Sequence, residues 1–324
     1  MNDRGLKVLE QYDLEIISTR RGRGSYICET SQGLKLLCDF QGSEKKMAFQ
    51  NRILQELKAA GYENVDPALE NKDGKLVSMD REENRYVLKD WFYGRECSPS
   101  GERDILEAVE NLARLHRYMC FPREEKEYCG IPLQTELAAR TKELKKVRSF
   151  IRGREPKHPF EQMFLKSFPA FYDQACQAEE LAKNVCSEEN LEEQVRIGTV
   201  CHGDYNYHHV LFLERGIATT NFGRCRFDFQ VCDLYQFMRK ILEKQNWDPD
   251  LGERMLDTYE SGRSLSPMER RILYIKMVYP EKFWKLANHY YGSRKAWIPV
   301  RYQQKLDALN RQQEQKRIFL KLLE

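Results

Sequence analysis

Apolar and polar residues alternate along three short runs near the start of the chain, residues 14–19, 25–30 and 34–40, which predicts three antiparallel strands. The runs are broken by Arg21-Gly22-Arg23-Gly24 and Ser31-Gln32-Gly33, both of them turn chemistry. The period then changes. Phe49, Ile53, Leu57 and Ala60 recur at helical spacing behind Ser43, a favoured helix cap, and Gly61 follows as the stop. Strand character returns at 76–79 and 86–89 around an Asp73-Gly74 turn, and Trp91-Phe92-Tyr93-Gly94 leads away. The predicted order is β-β-β-α-β-β, closing near residue 90.

Beyond Ser98-Pro99 the pattern becomes helical. Ile105, Val109, Leu112 and His116 mark a helix whose last turn is basic, which suits the helix dipole. Residues 136–152 place Leu137, Leu144, Val147 and Ile151 on one side and Arg140, Lys142, Lys145, Lys146 and Arg148 elsewhere. Such a basic stripe is ordinarily a solvated face, and its alternative use is contact with an anionic partner. Phe160, Met163, Phe164, Phe168, Phe171 and Tyr172 read as the core of a helix. Asp233 stands directly before Leu234, Phe237, Met238, Ile241 and Leu242, with Gln236 three residues on, so the pattern predicts Asp233 as a structural cap for that helix. Helical periodicity resumes over 268–279, breaks at Pro280, continues to Tyr290-Tyr291-Gly292 and ends in a last helix over 303–323.

Composition narrows the class. With 324 residues the chain can build two lobes, each with its own core. Acids and bases nearly cancel to a net charge of +3, so there is no global footprint for nucleic acid. No run approaches the length of a membrane span, and Met1–Lys7 lacks the apolar segment of a signal peptide, so export is not expected. The 10 cysteines contain no C-x-x-C pair, which argues against a zinc or redox motif.

The candidate chemistry sits in Cys201-His202-Gly203-Asp204-Tyr205-Asn206-Tyr207-His208-His209-Val210-Leu211-Phe212 and, shortly after, Asn221-Phe222-Gly223. A His-Gly-Asp turn between strands places Asp204 where it could take a proton from a substrate hydroxyl, with His202 fixing the turn; the bland alternative is a polar hairpin loop.

Together with the sheet interrupted by one helix, these stretches resemble the protein-kinase-like fold of the aminoglycoside and choline phosphotransferases. Across essentially its whole length, and through residues 201–212, 217–244, 279–288 and 295–299, the chain is similar to the CotS-type spore coat proteins. The resemblance implies an α+β, two-lobed fold: a small antiparallel β lobe with one helix over residues 1–90, and a larger, mainly helical lobe over 91–324 that carries the His-Gly-Asp motif.

It also implies roles. Asp204 falls on the catalytic base of H-G-D-x-x-x-x-N, while the motif's metal-binding asparagine falls on His209 and the following metal-binding aspartate falls on Asn221. Gly22 and Gly24 fall in the phosphate loop without its third glycine, and Lys35 is the one basic residue on the strand that should supply a phosphate-pairing lysine. Magnesium favours hard oxygens, usually with a carboxylate, so His209 and Asn221 make a degenerate pair. A transition-metal set of His208, His209 and Asp204 is opposed by strand alternation, which points neighbours to opposite faces.

Two functions follow as expectations. The first is a structural or interaction protein of the spore coat, with other coat proteins as partners, no cofactor, and deposition from the mother-cell cytoplasm onto the spore; the basic stripe and the 290–297 region are its candidate contact surfaces. The alternative is an atypical small-molecule phosphotransferase that uses ATP and magnesium with Asp204 as base.

Overall fold

The early alternation closes a five-stranded sheet in this computed structural model, which describes residues 3–22, 24–122, 128–183, 185, 188–292 and 300–324. Its strands are β1 (Ile16–Arg21), β2 (Ser25–Thr30), β3 (Gly33–Asp39), β4 (Ser78–Met79) and β5 (Arg85–Asp90). Helix α1 (Glu44–Ala59) lies between β3 and β4 in the chain. All neighbours pair antiparallel in the order β1-β2-β3-β5-β4. The β3/β5 register sets Lys35 opposite Asp90 and Leu36 opposite Lys89. One face of the sheet carries Cys28, Leu37, Tyr86 and Leu88, packed on Val8 and Leu9 of a 3-10 segment, Asp3–Gln11, and on Tyr12 just after it. Val87, on the other face, packs with Met47 of α1 and with Ala68 and Val77.

Helix α1 is bounded as its sequence predicts. Ser43 Oγ accepts a hydrogen bond from the Lys46 N–H at 3.2 Å. At the far end Gly61 takes φ +96, the Gly61 N–H reaches Lys58 O and the Tyr62 N–H reaches Leu57 O, which is a Schellman closure.

Chain packing divides the molecule into two units, one formed by residues 1–121 and 200–226, the other by 122–199 and 227–324. The first holds the sheet and α1, so residues 1–90 fall wholly within it. It also holds β6 (Arg95–Glu96), α2 (Glu102–Tyr118), β7 (Val200–Cys201), β8 (Val210–Phe212) and β9 (Ile217–Thr219). Strands β6, β8 and β9 form a second antiparallel sheet in that order.

The second unit is built from helices: α3 (Leu133–Arg152), α4 (Pro159–Ala182), α5 (Glu188–Ile197), α6 (Val231–Leu242), α7 (Pro249–Gly262), α8 (Pro267–Val278), α9 (Glu281–Gly292), α10 (Val300–Arg311) and α11 (Gln313–Leu323). Phe160, Phe164, Phe168 and Phe171 of α4 are buried. The Phe283 ring of α9 stacks on Phe164 at 4.8 Å and on Phe171 at 4.3 Å, so the aromatic run is core. The basic stripe on α3 is partly absorbed by this unit: Arg140 pairs with Glu136 and Glu281, and Arg148 lies over the Phe168 ring. Among the described residues no helix is long and apolar enough to cross a membrane. The architecture is α+β, a small antiparallel sheet region together with a larger helical one.

Two expectations need correction. Helix α6 begins at Val231 behind Gln230, so Asp233 is not its cap but a buried residue in its first turn. The apolar stripe explains this, since Val231 continues the face of Leu234, Tyr235 and Met238 backwards by one turn. The last predicted helix is two, parted at Gln312. The expected contact segment around Trp297, and the whole of 295–299, lies outside the described residues.

Candidate functional site

The His-Gly-Asp turn leaves β7 at Cys201 and is held at three points. His202 is fully buried; its Nδ1 accepts the Asp204 N–H at 3.1 Å, which leaves Nε2 to carry the proton toward Thr220 O at 2.9 Å. Gly203 sits at φ +79, where a side chain would be strained, and a Cβ there would stand 2.1 Å from Arg224 O. Asn206 is buried and donates to Asp204 O at 2.8 Å and to Asp204 Oδ1 at 3.3 Å, orienting the carboxylate. Asp204 itself is half-buried. This is a rigid display of one carboxylate, as proton acceptance from a bound hydroxyl requires.

His209 and His208 turn to different neighbours. His209 Nδ1 lies 2.9 Å from Asp204 O and 3.0 Å from Asn206 Nδ2, inside the turn. His208 is exposed, with its Nδ1 2.5 Å from Glu96 Oε2 on β6. Among the described residues no group of three or more His, Cys, Asp or Glu side chains is placed to hold a metal ion.

Beneath the turn a buried polar network spans α2 and β9. Asn111 donates to Thr219 Oγ1 at 3.0 Å and to Tyr205 Oη at 3.2 Å, and Tyr62 donates to Asn111 Oδ1 at 3.0 Å. Tyr205 in turn donates to Ala108 O at 2.7 Å. Each polar atom here has a partner, so the network fixes the turn rather than straining it.

Asn221 follows β9 in the left-handed region, φ 66 and ψ 52, a conformation asparagine tolerates better than most residues. Its N–H lies 3.2 and 3.0 Å from the two carboxylate oxygens of Asp66. Its Oδ1 accepts from Lys89 Nζ at 2.9 Å, and Lys89 also donates to Asp66 Oδ2 at 2.5 Å. Asp66 arrives there because the segment containing it runs beside both strands, with Val65 bridging Thr219 and Ala68 bridging Lys89. Asp66 is fully buried and Lys89 nearly so. Burial opposes the Lys89 charge, but the Asp66 carboxylate more than compensates, so the ammonium is held above its ordinary pKa. The Trp91 ring, 5.5 Å away, adds a cation–π contact.

The remaining sequence candidates lie elsewhere. Lys35 projects to the sheet face opposite Lys89, where its Nζ meets Asp90 Oδ1 at 2.8 Å and Gln32 O at 3.1 Å. Strand alternation is the cause, since Lys35 shares a face with Leu37 rather than with Leu36. Gly22 and Gly24 form the β1–β2 turn, with the Gly22 N–H bonded to Ser25 O at 2.8 Å and Gly24 at φ +66. Asp66 and Lys89 were not singled out from the sequence. The available signal was Lys89 itself, a charge on the same strand face as Val87, where the core expects an apolar residue and a buried ion needs a partner.

A model of the family described as "Spore coat putative kinase YutH" matches residues 6–323. Spore coat protein S of Bacillus subtilis (strain 168) is 22% identical over 309 residues, which is 94% of this chain and 87% of that protein. Among solved structures, an aminoglycoside phosphotransferase from Alicyclobacillus acidocaldarius aligns with a TM-score of 0.84 at 17% identity, covering 98% of this chain and 94% of its own. Choline kinase LicA from Streptococcus pneumoniae aligns with a TM-score of 0.52 at 13% identity, covering 96% and 95%. At these identities the likeness establishes the fold, that of the kinase-like phosphotransferases.

Proposed function

Because this chain belongs to the YutH family of spore coat proteins, we propose that it serves the coat as a structural or interaction protein on a kinase-like fold that no longer transfers phosphate. In this reading residues 1–90 are the small lobe and 91–324 the larger one, the protein is made in the mother-cell cytoplasm, and its partners are other coat proteins.

The observation that carries the reading is the state of Asn221. A phosphotransferase needs a divalent ion to bridge the phosphates and neutralise developing charge, and that ion wants anionic oxygen. Here the position carries a neutral amide whose oxygen already accepts from an ammonium. The nearby carboxylate, Asp66, is neutralised by the same ammonium. Losing one carboxylate charge beside the ion forfeits roughly 4 kcal/mol at 4 Å and an effective dielectric of 20. His209, at the second metal position, is held inside its own turn. These residues do not fit a magnesium–nucleotide complex.

The competing reading, an atypical phosphotransferase with Asp204 as base and ATP and magnesium as cofactors, is favoured by the oriented Asp204 carboxylate. Calorimetric titration of magnesium–ATP into the wild type separates the two. The expected result is no measurable binding and no ATP hydrolysis. Tight binding, with hydrolysis that disappears in Asp204→Asn, would overturn the coat-scaffold reading in favour of the enzyme.

A further inference from the structure

We infer that Lys89 is the resident cation of this site: its ammonium, bound by Asp66 Oδ2 and Asn221 Oδ1, does the structural work of a divalent ion, and removing it leaves a site that takes one. The inference rests on the reading of the site as degenerate and explains how the degenerate site remains ordered.

Three features point to it. The first is geometry. Lys89 Nζ lies 2.5 Å from Asp66 Oδ2 and 2.9 Å from Asn221 Oδ1, so one cation bridges two hard oxygens from segments far apart in the chain. The same carboxylate accepts the Asn221 N–H, so the cation, the anion and the left-handed turn at Asn221 form one closed unit.

The second is burial. Asp66 has no exposure, so its negative charge requires a positive one whatever the function of the protein. A metal could meet that requirement as an ammonium does, because carboxylate and amide oxygens are both ligands that magnesium and manganese accept. The third is strand register. Lys89 shares its face of β5 with Val87, so a straight-chain apolar residue of similar length would fit the pattern of the sheet better than a charge does. The charge of a lysine at that position is met first by the Asp66 and Asn221 oxygens, with the Trp91 ring as a weaker neighbour.

The Lys35–Asp90 pair on the opposite face does not share this arrangement. Asp90 is partly exposed and contacts a second lysine, Lys58, at 3.2 Å, so water and a spare cation can meet its charge. The resident-cation role is confined to the Asn221 side.

The test uses the full chain and manganese alone, without nucleotide, so it is independent of phosphotransfer. In Lys89→Gln the side chain stays polar but the charge is gone. The expected result is a lowered Tm that manganese restores, with a rise of roughly 5 °C when the ion is about 100-fold above its Kd. Manganese is expected to leave the wild type unchanged, and to leave Lys89→Gln/Asp66→Asn unchanged because the charged ligand is gone. Should Lys89→Gln fail to fold, the double variant, which buries no net charge, is the folded control, and refolding Lys89→Gln in manganese replaces the thermal test; recovery supports the inference. Manganese that stabilises the wild type equally, that still acts when Asp66 is replaced, or that fails to rescue Lys89→Gln would overturn it. None of those three outcomes restores ATP hydrolysis, so the inference can fail while the coat-scaffold reading stands.

Discussion

Lys35 and Lys89 belong to adjacent strands, one residue out of step in the ladder, and each holds an aspartate. The difference lies in what surrounds the acid. The side chain of Asp90 is 24% exposed and that of Asp66 is 0%. Asp90 also has Lys58, whereas Asp66 draws its hydrogen bonds from Lys89 and the Asn221 backbone. A pair whose acid is open to water loses little when it is broken, because water and a second cation can take up the ion that remains. A buried pair contributes little net stability either, yet breaking it is costly, since the surviving ion is stranded. Residue type is the same in both pairs, and context decides which one the fold depends on.

The largest effect is expected at the buried pair. Lys89→Ala leaves Asp66 charged and enclosed, and should cost about 3–5 kcal/mol by urea denaturation. A cost below about 1 kcal/mol would mean that Asp66 is reached by water, and the contrast with Asp90 would disappear.

A third lysine sharpens the comparison. Lys316 of α11 is buried, but its ammonium rests on a carbonyl, Val278 O at 3.2 Å, and over the Trp247 ring at 5.3 Å. Burial dominates there and brings its pKa down to about 7, only partly countered by Glu243. Above pH 7 and up to the ordinary lysine range, the unfolded chain binds a proton that the folded chain does not, so stability from this group rises with pH across that window. Below it the charged, buried form costs in full. Lys316→Met should therefore stabilise the protein by about 1–4 kcal/mol at pH 6, with a gain that shrinks toward pH 10. A gain independent of pH would show that Lys316 stays charged throughout.

The sequence made the first unit legible where a single pattern decided the outcome. Strand alternation, the Ser43 cap and the Gly61 stop involve residues close together in the chain, and the structure has all three. The His-Gly-Asp turn was legible for the same reason, since His202 and Asp204 contact each other locally. Asp66 and Lys89 were not, because their meaning depends on Asn221, which is 155 and 132 residues away. The place of Lys35 on β3 points toward a phosphate-pairing lysine, yet alternation by one position sends it to the other face. Asp233 has the local pattern of a cap because it precedes an apolar run, but the helix already begins at Val231. Local chemistry was readable in one dimension; the pairing of buried charges required the sheet.

The smallest effect is expected at Lys35. Its ammonium bonds Asp90 Oδ1 and Gln32 O, and its own side chain is 8% exposed, so burial of the lysine alone would suggest a costly loss. The partner argues otherwise. When Lys35→Ala removes the ammonium, Asp90 keeps Lys58 on its other oxygen and keeps access to water, so no ion is stranded. The expected cost is about 1 kcal/mol or less, most of it from lost packing of the lysine stem, which added salt should leave nearly unchanged. Denaturant midpoints for Lys35→Ala and Lys89→Ala, measured side by side at low and high salt, put the two aspartates in direct competition. Equal losses would mean that burial of the lysine, and not of the acid it serves, sets the cost of breaking each pair.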